Sequence, residues 1–274
     1  MKVAIQGELG SNSHVAAIEL LGEQEIVCCT VSKDVFDSLA DRRADVAVLP
    51  IENSLHGSVA EHYDLLLAQD VVTLAELRLH VHHALIVVPG TSMESIRKVL
   101  SHPVALSQCR RFFAAHPEMA PTSFYDTAGS VKYLMEEKPI ETAAIARTDA
   151  TRIYGAEVLE CGLEDDPLNV TRFFMLATSQ RAEEFRPHIA ADKMSVAFAV
   201  EHKPGSLVGV LQQLAALGVD LTRIESRPVP GRPWEYIFYV DLRFPTPDTP
   251  DHVAEILQKQ CHMFKEIGRY AAAR

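Results

Sequence analysis

Short apolar runs alternate with amphipathic stretches along the first half of the chain. Residues 2–6, 25–29 and 45–50 read as strands and residues 13–21, 33–41 and 58–68 as helices, the succession expected of βαβ units. Ala44 to Leu49 alternates small and branched apolar residues as a buried strand does, and Ser58-Val59-Ala60-Glu61 reads as a capping box opening the next helix. A second series follows, with strands at 82–88, near 122–125 and at 142–146 and helices near 94–100, 108–115 and 127–136, which predicts a second α/β lobe. Residues 171–178, Thr-Arg-Phe-Phe-Met-Leu-Ala-Thr, read as one more buried strand behind the polar loop Glu164-Asp165-Asp166-Pro167-Leu168-Asn169.

The pattern breaks between Ser179 and Lys193, which gather Arg181, Glu183, Glu184, Arg186 and Pro187 without an apolar period. A first domain over 1–180, a linker at 181–193 and a second domain over 194–274 follow. A length of 274 residues suits two domains at roughly 150 residues each. The last segment reads strand 194–201, helix 206–217, strands 219–227 and 235–243, helix 250–260 and strand 263–270, the βαββαβ order of a ferredoxin-like α+β sandwich. Leu207, Val210, Leu211 and Leu214 give its first helix one apolar face, and Pro204-Gly205-Ser206 supplies a turn and an N-cap.

Composition narrows the function. A net charge of −11 opposes non-specific binding to nucleic acid or anionic membrane, so neither is expected as a partner, and an anionic ligand needs a local positive field. No run approaches the ~18 apolar residues of a membrane span, and the chain opens directly on a strand, so a cytoplasmic protein is expected. The five cysteines are scattered without a C-x-x-C pair, which suits a reduced compartment, and Cys109 reads as a small buried thiol.

Chemistry concentrates where apolar strands end. Pro50-Ile51-Glu52-Asn53-Ser54-Leu55-His56-Gly57 places acidic, amide, hydroxyl and imidazole groups at the end of a strand, the usual ligand position of an open α/β sheet. Gly7 to His14, with Ser11 and Ser13, opens a helix whose backbone N–H groups can meet an anion. Ser101-His102-Pro103-Val104-Ala105-Leu106-Ser107-Gln108-Cys109, Asp126-Thr127-Ala128-Gly129-Ser130 and Asn169-Val170-Thr171-Arg172-Phe173 complete the set.

Taken in this order, Pro50 to Gly57, Ser101 to Cys109, Thr171-Arg172-Phe173 and Glu225-Ser226-Arg227-Pro228 make the chain resemble the prephenate dehydratase family, with a C-terminal ACT regulatory domain, over nearly its whole length. The resemblance implies an α/β fold class, a two-lobed catalytic domain like a type II periplasmic binding protein with the cleft as active site, and an α+β ferredoxin-like ACT domain. It implies a monofunctional hydro-lyase that converts prephenate to phenylpyruvate in phenylalanine biosynthesis, with no cofactor and no metal. Thr171 and Glu52 are the catalytic residues it implies, with Ser11, Ser13, Asn53, Ser54, His102, Gln108, Thr127, Arg172 and Phe173 binding substrate. L-Phenylalanine is the implied feedback effector, held by Gly205, Ser206, Leu207, Val208, Asp220, Leu221, Glu225, Ser226 and Arg227 at a junction of subunits in a homodimer or homotetramer. The chain departs from the family at Ser11-Asn12-Ser13, where a hydroxyl, aromatic, Ser run is more usual, and at Asp220, where Asn is common.

Some positions keep two readings. Glu52 is either a proton source with raised pKa or a carboxylate that orders its loop. Arg172 is either a bidentate carboxylate ligand or half of a lobe-to-lobe salt bridge, since neighbouring strand positions face opposite ways. His56 and His102 are either chemical or structural, and His80, His82 and His83 lack the companions of a metal site. A Thr hydroxyl is a poor acid, so Thr171 is expected to donate a hydrogen bond to the leaving oxygen rather than transfer its proton outright. Arogenate dehydratase, a silent solute-binding protein and an amino-acid sensor are the rival functions.

Overall fold

The computed structural model describes residues 1–229 and 232–273. The chain opens with β1 (Lys2–Gln6), α1 (Asn12–Leu21), β2 (Glu25–Cys29), α2 (Ser32–Ala40), β3 (Val46–Asn53), β4 (Gly57–Ser58), α3 (Ala60–Ala68) and β5 (Val71–His80). It continues with β6 (Ala84–Val87), β7 (Lys98–Ser101), α4 (Pro103–Ser107), α5 (Arg110–Ala115), β8 (Ala120–Ser123), α6 (Thr127–Glu137), β9 (Thr142–Ala146), α7 (Asp149–Tyr154), β10 (Glu157–Cys161) and β11 (Val170–Thr178). The remainder is α8 (Ala182–Phe185), β12 (Lys193–Ala199), α9 (Ser206–Ala216), β13 (Asp220–Val229), β14 (Arg232–Arg243), α10 (Thr249–Gln260) and β15 (Met263–Tyr270). Two compact units result, one of Met1–His62 with Leu77–Met175 and one of Tyr63–Glu76 with Leu176–Arg274.

The first unit is a two-lobed α/β body. In one lobe β1 lies between β2 and β3, parallel to both, and β11 returns beside β3. The other lobe has the strand order β10-β6-β9-β7-β8, with β7 parallel to β8 and β9 and with β6 antiparallel to β9. Val3, Ala4, Ile5, Val46, Ala47 and Val48 are fully buried, which is why these strands read as continuous apolar runs: both faces of the sheet are covered. Leu85, Val87, Val99, Ile145 and Phe112 form part of the second lobe's core.

The second unit has the ferredoxin-like α+β order. Its strands run β13-β14-β12-β15, antiparallel throughout, and Val210 and Leu214 of α9 join Val253 and Leu257 of α10 over Met194, Val196 and Phe198. Residues 71–76 of β5 belong here, with Thr73 opposite Gly268, where a Cβ would fall 2.3 Å from the Thr73 carbonyl oxygen and only glycine fits. Within 181–193, Ala182–Phe185 forms a single helical turn flanked by Arg181–Glu184 and Arg186–Glu183 pairs. Among the described residues no helix is long and apolar enough to cross a membrane.

Several local expectations change. The helix expected near 94–100 is a 3₁₀ turn, Met93–Ser95, followed by β7: Val99 and Leu100 are buried as a strand pair, too few residues for a period to register. β5 and β10 carry Glu76, Glu157 and Glu160 among their apolar residues, and no strand was expected at either. Ser58 lies in a tight β3–β4 hairpin two residues before α3, and Glu61 accepts from Ser32 Oγ at 2.9 Å. Gly205, at φ +86°, precedes α9, so Ser206 is its first residue and not its cap.

Candidate active site

The loop Gly7–Ser11 carries the chain from β1 into α1 between the two lobes of the first unit. Gly7 and Gly10 have φ of +100° and +84°, and a Cβ at Gly10 would fall 2.7 Å from Ala150 Cα, so the close approach to α7 requires glycine. Ser11 caps α1 by accepting from His14 N at 3.3 Å, and Asp126 caps α6 by accepting from Gly129 N at 2.7 Å. Both N-caps lie on the wall of a cavity of about 530 Å³. The N-terminal end of α1, capped by a neutral serine, thus supplies partial positive charge to a site that carries no Lys or Arg among its described lining residues, whereas the α6 end is met by the Asp126 carboxylate.

Thr171 and Phe173, two positions apart on β11, share the face toward the cavity. Asn53 reaches Thr171 from the end of β3. Its Oδ1 accepts from the backbone N–H groups of Leu55 and His56, at 3.0 and 3.1 Å, which turns Nδ2 toward β11. Nδ2 donates to Thr171 Oγ1 at 2.9 Å and to Asn169 Oδ1 at 2.7 Å. The Thr171 hydroxyl therefore acts as an acceptor toward the protein, and among the described residues none takes its proton.

The opposite lobe supplies a polar wall. Gln108 Oε1 lies 2.9 Å from His83 Nε2, and Gln108 Nε2 lies 3.1 Å from His56 Nδ1, while His56 Nε2 is 3.1 Å from Ser107 Oγ. These contacts join the Asn53–Gly57 hairpin to the α4–α5 corner. Burial pushes the pKa of His62, His83 and His102 below the usual imidazole value, which favours the neutral ring in each. His102 caps α4 through Nδ1, 3.3 Å from Val104 N. Cys109 is fully buried and its thiol is pushed up to about 12 by desolvation, which removes it as a nucleophile.

Of the residues implied by resemblance, Ser11, Ser13, Asn53, His102, Gln108, Thr127, Thr171 and Phe173 line the cavity. Glu52, Ser54 and Arg172 are absent from the wall. Arg172 points to the other face of β11, 3.6 Å from Glu52 Oε2 and with its guanidinium 4.7 Å from the centre of the Phe174 ring. Strand alternation separates it from Thr171. Ser54 Oγ donates to Leu168 O at 3.2 Å and receives Val170 N at 3.0 Å, so it fastens the hairpin to β11.

His62, His83, Tyr125 and Asp126 line the cavity without having been singled out as site residues. Asp126 stood inside a polar cluster, but its cap position hid its carboxylate's second face. The His80-Val81-His82-His83 run divides by strand and turn geometry. His80 and His82 stack at 6.3 Å, His82 contacts Glu164 at 3.0 Å, and His83 turns inward. Among the described residues no group of three His, Cys, Asp or Glu side chains is placed to hold a metal ion.

In the second unit, Gly205, Ser206, Leu207 and Val208 open α9 at exposed or half-exposed positions, and Asp220 and Leu221 begin the edge strand β13. Glu225 pairs with Arg223, and Arg227 makes two contacts with Asp64 at 2.9 and 3.2 Å. Ser226 lies opposite Phe238 in the β13–β14 ladder.

A prephenate dehydratase family model matches residues 3–181. Arogenate dehydratase/prephenate dehydratase 6, a chloroplastic protein of Arabidopsis thaliana, is 38% identical over 88% of this chain, which spans 62% of that relative's length. The structure of prephenate dehydratase from Arthrobacter aurescens in complex with L-Phe has a TM-score of 0.87 at 28% identity, covering 99% of this chain and 90% of that one. A structure named GqqA, described as a novel type of quorum-quenching acylase, has a TM-score of 0.85 at 27% identity, over 99% of this chain and 98% of that one. With the match running through both lobes and Thr171-Arg172-Phe173, the chain belongs to the prephenate dehydratase family.

Proposed function

We propose that this chain catalyses the decarboxylating dehydration of prephenate, or of its amino counterpart arogenate. The ring carboxylate leaves as CO2 and its bonding electrons enter the ring. The para hydroxyl leaves with a proton as water, and the diene becomes aromatic. Prephenate gives phenylpyruvate and arogenate gives phenylalanine.

The observation that carries this reading is the Asn53 Nδ2 to Thr171 Oγ1 hydrogen bond, because it leaves the Thr171 proton free to meet the departing oxygen. A positioned donor of this kind is commonly worth about 10² to 10⁴ in rate. The N-terminal end of α1, with the Ser11, Ser13 and Thr127 hydroxyls, orients the carboxylates in place of cationic side chains. Glu52 acts at one remove, by holding Arg172 and the hairpin.

An acylase reading, raised by the likeness to GqqA, requires a nucleophile stripped of its proton. The Thr171 neighbour is an amide donor that cannot accept that proton, the Cys109 thiol is buried, and the Ser107 hydroxyl beside His56 donates to Val104 O at 2.7 Å and is not on the cavity wall. The lyase reading therefore takes precedence.

Residues 1–180 form the catalytic domain of this proposal, 181–193 the linker and 194–274 a regulatory ACT domain that binds L-phenylalanine in a homodimer or homotetramer. The L-Phe complex of the Arthrobacter relative supports that effector. Gly205 to Val208 would take its carboxylate at the start of α9, Asp220 its ammonium, and Leu221 with Glu225, Ser226 and Arg227 the rest of the site.

The test is incubation of the purified chain with prephenate and with arogenate, following phenylpyruvate and phenylalanine, with and without added L-phenylalanine. Turnover of at least one substrate is expected, suppressed by L-phenylalanine. Turnover of neither would sink the catalytic assignment.

A further inference from the structure

The cavity that accommodates a dianion in this reading contains an unexpected charge. Asp126 is the one carboxylate among its described lining residues, and no Lys or Arg shares the wall with it. Its Oδ1 is occupied by two backbone donors, Gly129 N at 2.7 Å and Glu8 N at 3.4 Å. The side chain whose like charge acts on it is Glu8, which is itself held by Lys132 Nζ at 3.1 Å and by the Tyr125 hydroxyl at 3.0 Å.

Gly7, also on the wall, leaves room for the second oxygen. A Cβ at Gly7 would fall 2.6 Å from Asp126 Oδ2, so any larger residue would cover or displace that atom. Burial and the like charge of Glu8 both work against the ionised form. A part-buried carboxylate in this setting is stabilised by a ligand that brings its own cation, and is repelled by one that brings only carboxylates and a carbonyl oxygen.

Prephenate and arogenate differ in that respect alone: the side chain carries a keto group in one and an ammonium in the other. We propose that Asp126 is the specificity-determining residue of this site and selects the ammonium-bearing substrate, arogenate, over its keto counterpart. The inference rests on the dehydratase reading above. It adds to that reading a substrate preference and the atom, Asp126 Oδ2, that sets it.

The test is the pair of kcat/KM values, for arogenate and for prephenate, measured on the full chain at one neutral pH. Asp126→Asn retains an N-cap residue while removing the charge. The wild-type chain is expected to favour arogenate. In Asp126→Asn, the ratio of kcat/KM for arogenate to that for prephenate is expected to fall about 10- to 100-fold, the range of a charge-assisted hydrogen bond. Asp126→Ser, a second cap-preserving change, should shift the ratio the same way, and the melting temperature of each variant checks that the helix start is intact.

An equal loss with both substrates, or an unchanged ratio in both variants, would overturn the inference while leaving the dehydratase assignment standing. A wild-type chain that prefers prephenate would do the same. A wild-type chain that turns over neither substrate would remove the dehydratase reading and this inference together.

Discussion

In the second unit the Lys193 ammonium lies 2.9 and 3.0 Å from the two Glu76 oxygens and 3.9 Å from Asp241, all three side chains being 4% exposed or less. Asp241 also accepts from Ser195 Oγ, and Glu76 accepts from Ala273 N at 2.8 Å. In the first unit the polar groups around Thr171 are ordered just as closely, but by neutral partners, and the wall includes no Lys or Arg among its described residues. One cluster is closed upon itself. The other has its backbone and amide donors directed so that a hydroxyl proton, a carboxylate oxygen and the start of α1 remain for a ligand. A polar network made for stability and one made for chemistry thus differ in what is left over after the protein's own bonds are counted.

The sharpest way to break that contrast is Thr171→Ala. Loss of the donor to the leaving oxygen is expected to lower kcat by about 10² to 10⁴ with little change in melting temperature, and Thr171→Ser should restore much of the rate. Near-normal turnover in a folded Thr171→Ala chain would show that the leftover proton has no chemical part. The corresponding change in the closed network is Lys193→Met. It should remove the cation that holds two buried carboxylates and cost about 3 to 5 kcal/mol in urea unfolding, and adding Glu76→Gln should recover part of the loss. A cost within experimental error of zero would mean that water reaches this cluster.

How much of this was legible beforehand depends on the distance over which the information is stored. β1, β2, β3 and β11 were visible because each is a local apolar run, and α9 because its four leucine and valine positions repeat at helical spacing. β5 was not, because Glu76 interrupts it, and the reason a glutamate can stand there is Lys193, more than a hundred residues away in sequence. The same limit applies to the site. The hairpin Asn53–Gly57 and the Thr171 strand were readable as polar clusters, and alternation already separated Arg172 from Thr171. That Glu52 would be taken by Arg172, and that Asp126 would face the cavity with one oxygen beside Gly7, depends on chain segments that meet only after folding.

The smallest expected effect concerns the dryness of the cavity wall. His83 is buried near Glu164, Arg147 and His82, and desolvation dominates, lowering its pKa from the ordinary value of 6.5. The unfolded chain therefore binds a proton at a pH where the folded chain does not. The stability that a neutral His83 contributes is fully present above about pH 6.5 and is lost as pH falls from there toward the folded value, at up to about 1.4 kcal/mol per pH unit. Glutamine at this position can still donate toward Gln108 but cannot titrate. Urea unfolding of wild type and of His83→Gln, each at pH 7.5 and pH 5.5, should give a smaller acid loss in the variant by an amount within about that limit. The carboxylates contribute equally to both proteins and cancel in the comparison. Parallel losses would place solvent against the imidazole, and the wall around Gln108 would then be a wet surface rather than a desolvated partner for the substrate ring.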